Sequence, residues 1–268
     1  MSTRKTARKT VGVEGIGRSA DLLIRIFFRL PLLNRWHPWV RADRTDMRWL
    51  PINEGIGAQE NVPMPVELLD RLIEEASHRV IIEHCGCRKG FGCKEYPVET
   101  GCLMMGDTAL DIRNFPAREV GAEEAKAHAR RAVAAGLVPV VGKARADNFI
   151  FRVKDRHRLL SVCFCCECCC ITRFASYLPL RYLEPTFPRP EGVSVSVTGG
   201  CTGCGVCVAH CFVQAIEITD GKAVIGEHCR ACGRCASACP NGAVEIRLTD
   251  PEFVEKTRER IRSYVKYD

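Results

Sequence analysis

The sequence predicts an α+β protein in two main parts: a mainly helical, cysteine-rich N-terminal domain over residues 65–178, and a small module of β-hairpins over residues 193–248. Three observations predict it. Eighteen cysteines are gathered into knots instead of being scattered. One cysteine-bearing unit near the C-terminus occurs twice, and each copy is followed by apolar residues alternating at strand period. Before and after the knots, apolar residues recur at helical spacing.

Residues 1–18 are basic and almost without aromatic side chains, the composition of a mobile arm. The formal charge of +7 belongs to this end of the chain, because residues 1–50 hold eleven Lys and Arg against four Asp and Glu. Residues 19–64 read as an amphipathic helix and a connecting segment. Leu22, Leu23, Ile26, Phe27 and Leu30 form one stripe beside Arg25 and Arg29, and Pro31 ends or kinks it. The stripe is too short and too often interrupted by arginine to span a bilayer. Two readings of residues 20–40 stay open. One packs the stripe on protein. The other is peripheral membrane association, with Trp36 and Trp39 at headgroup depth. Basic charge without a reading element makes nucleic acid an unfavoured partner.

Residues 65–80 read as a capped amphipathic helix and residues 123–135 as a second, alanine-rich one ending at Gly136. Residues 138–142 are strand-like, the proline-rich stretch 179–192 has the composition of a linker, and residues 249–268 read as a terminal amphipathic helix able to lie on either domain.

The duplicated unit is Cys201-x2-Cys204-x2-Cys207-x3-Cys211, then Cys229-x2-Cys232-x2-Cys235-x3-Cys239. Three thiolates at two-residue gaps wrap a loop around three corners of an iron–sulfur cubane, a spacing that zinc sites, built from separated pairs, do not use. At these residues the sequence resembles the bacterial-type two-cluster ferredoxins, and the match covers about a fifth of the chain. That resemblance implies two 4Fe-4S clusters with crossed ligation: Cys201, Cys204, Cys207 and Cys239 on one, Cys229, Cys232, Cys235 and Cys211 on the other. The alternating stretches 193–197, 215–218, 223–225 and 243–246 fit the small hairpins of that fold. Pro240 follows Cys239 as the family pattern expects, whereas Phe212 follows Cys211, which implies a local change of shape with the ligand retained.

Ten cysteines remain: Cys85, Cys87, Cys93 and Cys102, then Cys163, Cys165, Cys166, Cys168, Cys169 and Cys170. Neighbouring cysteines point different ways, so the second knot cannot give all six thiols to one centre. Eight of the ten would hold two more cubanes and leave two thiols over; four would hold one and leave six, an oxidation hazard. One or two additional iron–sulfur clusters are therefore expected, with zinc or a redox dithiol as alternatives. Together, His84–Arg88, Cys102–Gly106 and Cys163–Cys170 ahead of the two-cluster unit resemble a group of long, cysteine-rich ferredoxin-type proteins of anaerobes, which implies iron–sulfur electron transfer. Among the histidines His84 is the only ligand candidate, and both it and Arg88 suit charge compensation beside reduced sulfur. His128, His157, His210 and His228 read as surface or packing residues.

No secretory signal precedes these thiols, so a reducing, cytoplasmic and anaerobic setting is expected, at the inner face of the membrane if residues 20–40 meet lipid. Standard nicotinamide, flavin and nucleotide motifs are absent. The leading expectation is an electron carrier, not itself a catalyst, that relays single electrons through its clusters to a partner oxidoreductase. The alternative is an oxidoreductase, or a component of one, with a substrate-reducing cluster in the cysteine-rich domain. A thiol-based redox sensor is a third class.

Overall fold

The computed structural model describes residues 45–51, 65–144, 147 and 150–268. The basic arm and the helix expected over residues 20–40 lie outside the described residues. Six strands form one antiparallel sheet: β1 (Asp46–Trp49), β2 (Arg79–Ile82), β3 (Leu103–Met105), β4 (Ala117–Glu119), β5 (Val138–Lys143) and β6 (Leu160–Cys165), in the order β1-β5-β6-β3-β2-β4. The domain expected to be mainly helical is thus built on a sheet. Its central strands read as continuous apolar runs instead of alternating ones, because both faces are covered: every residue of β5 is buried.

Helix α1 (Pro65–Glu75) turns Leu68, Leu69, Leu72 and Ile73 into the core, and helix α3 (Ala122–Ala134) turns in Ala125, Ala129 and Ala132, whose small side chains let the helix lie close to its neighbours. The helix expected over 65–80 ends at Glu75, and its last residues become β2. Between them α2 (Gly86–Phe91) is a single short helix flanked by cysteines.

The stretch expected to be a linker is packed structure. Helix α4 (Leu180–Thr186) buries Leu183 and Thr186, and Phe187 meets Trp49 with ring centroids 5.1 Å apart. The C-terminal module follows. Its strand β7 (Val193–Val197) pairs with β10 (Val244–Leu248), while β8 (Ile216–Thr219) and β9 (Lys222–Ile225) form a hairpin. One ribbon therefore joins the two ends of the module, and one local hairpin lies between its cysteine loops. Helices α5 (Val206–Ala209) and α6 (Arg234–Ala238) follow the two cysteine loops.

Helix α7 (Phe253–Tyr264) lies along α1, with Arg258 to Glu75 at 2.6 Å and the Tyr267 hydroxyl donating to Glu75 at 2.8 Å. One continuous core runs through Leu68, Trp49, Phe164, Phe212, Ile246 and Phe253. A break near Pro190 would expose Val193, Phe212 and Leu248 to water, so the module is not a detachable unit.

Buried Asp147 supplies a pH prediction. Burial pushes its carboxyl up to about 6, against the Ser161 hydroxyl that donates to it. A carboxyl raised on folding costs nothing below its unfolded value near 4; the penalty grows as pH rises and is complete above about 6. Asp147→Asn removes the penalty. Its unfolding free energy is expected to exceed the parent's by up to about 3 kcal/mol at pH 8 and to match it near pH 4, read from urea titrations.

Candidate metal centres

In the C-terminal module the eight cysteines close around two small cavities. Cys201, Cys204, Cys207 and Cys239 line one; Cys211, Cys229, Cys232 and Cys235 line the other. Each group takes three thiols from one loop and the fourth from the other copy of the repeat, because each x3 gap carries the last cysteine across a helix to the facing loop. Backbone N–H groups point at the sulfurs: Ala223 to Cys201 at 3.3 Å, Ala215 to Cys211 at 3.2 Å, Ala243 to Cys239 at 3.2 Å and Ala231 to Cys229 at 3.4 Å. A four-thiol donor set ringed by backbone donors fits a 4Fe-4S cluster, whose charge such hydrogen bonds stabilise. Burial pushes Cys235 up to about 12 and Cys232 well above the usual thiol range, so metal uptake must displace protons.

The tight loop has a backbone cost that glycine carries. Gly203 sits at φ +67, and a Cβ there would stand 2.4 Å from the Gly221 carbonyl oxygen; its counterpart in the second copy, Ala231, tolerates φ +53. Gly203→Ala is expected to lower stability by about 2 kcal/mol or more, read from thermal unfolding of the loaded protein.

The ten N-terminal cysteines divide along the chain. In β6, Cys163 and Cys165 share one face by strand alternation. Beyond Cys165 the chain makes a tight turn, with the Cys170 N–H bonded to the Cys166 carbonyl, and this returns Cys170 to within 2.9 Å of Cys165. The turn throws Cys166, Cys168 and Cys169 the other way, where Cys93 joins them, and these four sulfurs lie within 4.8 Å of one another. The knot is thus split between two places. Helix α2 serves both: Cys85 and Cys87 sit at its N-terminal end, and Cys93 follows its left-handed C-cap, Gly92.

Cys85, Cys87, Cys102, Cys163, Cys165 and Cys170 all line a cavity of about 120 Å³ walled mainly by apolar side chains, among them Met47, Phe174 and Phe187. Within it Cys85, Cys87, Cys170 and Cys165 form one chain of touching thiols, while Cys102 and Cys163 touch each other at 3.5 Å. The Cys87 neighbour and burial both drive the Cys85 thiol up. At the other group, backbone N–H groups of Glu95 and Tyr96 outweigh burial and hold Cys93 below the usual thiol range.

Arg88 lies between the two groups and is 1% exposed. It donates to the carbonyls of Pro97 at 2.8 Å, Phe164 at 2.7 Å and Thr100. Burial works against its charge, but Cys85, Cys166 and Cys102 favour it more. His84 lines neither thiol group. His128 is a packing residue, bonded to the Gly101 carbonyl at 2.9 Å.

His210 is the residue that sequence reasoning placed wrongly. Glu167, in the middle of the knot, accepts from Tyr96 at 2.9 Å and pairs with His210 at 2.5 Å and with Arg234 at 3.3 Å. His210 and Arg234 immediately precede Cys211 and Cys235, so this network ties the Cys93 group to the second cavity of the module. Cys168 and Cys211 line one cleft. Only the position of these residues beside cysteines could have signalled it.

Comparison with known proteins bears on the C-terminal module. Residues 200–243 match the family described as the 4Fe-4S dicluster domain. A component of the ion-translocating oxidoreductase complex of Methanosarcina acetivorans is 45% identical over 49 residues, 18% of this chain and 19% of the relative. The PorD component of pyruvate synthase from Thermotoga maritima is 37% identical over 59 residues, 21% of this chain and 58% of the relative. The chain thus spans about a fifth of the first relative and somewhat over half of the second. No solved structure matches. The module is of the iron–sulfur, ferredoxin type, and the relatives are named as parts of larger assemblies, one of an ion-translocating oxidoreductase complex and one of pyruvate synthase. Among the described residues no helix is long and apolar enough to cross a membrane.

Proposed function

We propose that this chain is an iron–sulfur electron-transfer protein that passes single electrons to a partner oxidoreductase. Two 4Fe-4S clusters would be held by Cys201, Cys204, Cys207 and Cys239, and by Cys211, Cys229, Cys232 and Cys235. Two further four-thiolate sites would be held by Cys93, Cys166, Cys168 and Cys169, and by Cys85, Cys87, Cys165 and Cys170. When bound, such clusters accept and release one electron each. The protein's own part is to hold the thiols, to aim backbone N–H groups at sulfur and to exclude water, which together set each potential.

The observation that carries the reading is the shared cleft of Cys168 and Cys211, with Glu167, His210 and Arg234 bridging the two halves. It sets a thiol group of the N-terminal half beside one of the module, where electrons can pass. Support for the partner class comes from the relatives, one named as part of an ion-translocating oxidoreductase complex and one as part of pyruvate synthase. The work fits the cytoplasm, and membrane-face association through residues 20–40 belongs to the same proposal. Stepwise reductive titration followed by EPR tests the reading: one-electron signals should grow in sequence, with magnetic interaction between neighbouring centres. A protein that takes up no electrons under dithionite would sink it.

One observation favours a second reading of the Cys93 group alone. Its sulfurs lie within 4.8 Å of one another, near the spacing of about 3.8 Å that a single tetrahedral zinc with bonds of about 2.3 Å imposes. Zinc analysis separates the two readings.

A further inference from the structure

Ten thiols sorted into two groups of four leave two, and the structure says which two. Cys102 immediately precedes β3 and Cys163 lies in β6; continuing the register in which Leu103 faces Val162 sets Cys102 directly opposite Cys163. Their sulfurs are 3.5 Å apart, and each is half-buried. Neither belongs to the touching chain of Cys85, Cys87, Cys170 and Cys165, yet both face the cavity that those four line. A directly opposed cross-strand pair brings its Cβ atoms to about 4.5–5.5 Å, and disulfides need about 3.5–4.5 Å, so a small closing movement of two strands suffices.

We propose that Cys102 and Cys163 are not cluster ligands but a redox-active dithiol–disulfide couple set beside the inner cysteine group. The inference rests on the electron-transfer reading above. Reduction of the couple breaks the S–S bond, takes two electrons delivered singly by reduced iron–sulfur centres, takes two protons from solvent and leaves two thiols. Oxidation reverses each of these and forms the bond again. The couple would make the cavity the place where single electrons are gathered into a pair, the unit that thiol–disulfide exchange requires.

The geometry favours this role over simple spare thiols. Both strands carrying the pair are central in the sheet, β3 between β6 and β2 and β6 between β5 and β3, so the pair is fixed in register. Arg88 faces Cys102 as well as Cys85 and Cys166. A thiolate formed at Cys102 during exchange would therefore meet a fixed positive charge.

The test uses the full chain purified without oxygen. One portion is treated with dithionite and another with oxidised dithiothreitol; each is quenched in acid with a light alkylating reagent, reduced, labelled with a heavy one and mapped by mass spectrometry. Heavy label specific to Cys102 and Cys163 in the oxidised portion, falling at least about tenfold in the reduced one, is the expected result. The double variant Cys102→Ser/Cys163→Ser should keep the parent's iron and acid-labile sulfide while losing that label. Loss of about four irons from the variant would make the pair ligands and overturn the proposal, as would a parent whose Cys102 and Cys163 stay light after oxidation. Failure of the underlying reading looks different: a parent with only about eight irons removes the neighbouring clusters, whatever the label on the pair.

Discussion

Replacing Arg88 by alanine is expected to destabilise the N-terminal half by about 3–5 kcal/mol and to leave it unable to retain metal. The reason lies in what one side chain satisfies. Its guanidinium serves the carbonyls of Pro97, Phe164 and Thr100, each in a segment that carries or flanks a cysteine. Without it these acceptors lose their donor, at about 1–3 kcal/mol for each one left buried and unsatisfied. The buried positive charge facing Cys85, Cys102 and Cys166 is lost at the same time. Arg88→Lys is expected to recover little, since one ammonium cannot reproduce a planar fork that reaches three separate carbonyls. The checking measurements are urea unfolding and metal content of each variant. Near-parental stability in Arg88→Ala would mean that the three carbonyls find other donors.

The second large effect concerns the junction between the halves. Cys168→Ser removes one thiol of the group that shares a cleft with Cys211, and about four irons per chain are expected to be lost with it. The module's own signals should survive, because its eight cysteines are all elsewhere. What should disappear is the magnetic interaction between the Cys93 group and the nearer module cluster, read by EPR of the reduced protein. Glu167→Gln makes a gentler companion. It keeps the ligands while removing the carboxylate that holds Tyr96, His210 and Arg234, so it should leave iron unchanged and shift the spectrum or potential of the adjacent cluster.

Some of this was legible in the residues alone. The repeat displayed its spacing openly, and its eight cysteines line two cavities of the module. Helices α1 and α3 were visible as apolar stripes and α7 as a terminal amphipathic segment. The sheet was not. β3 and β4 are three residues each, too short for a period; β2 was absorbed into the helix before it; β6 hid inside a run read only as ligands. That run could be divided in principle, since alternation sets Cys163 with Cys165, but the turn that returns Cys170 to Cys165 rests on long-range packing. The bridge through Glu167 and His210 joins residues 43 positions apart, a pairing that no local pattern encodes.

The central claim is that the N-terminal cysteines hold redox centres continuous with those of the module. Its most direct test is the iron, acid-labile sulfide and zinc content of the anaerobically purified full chain, taken with EPR of the dithionite-reduced protein. The account predicts about sixteen irons and sixteen sulfides per chain, no stoichiometric zinc, and a reduced spectrum broadened by interaction between neighbouring clusters. About eight irons, with two clusters interacting only with each other, would contradict it.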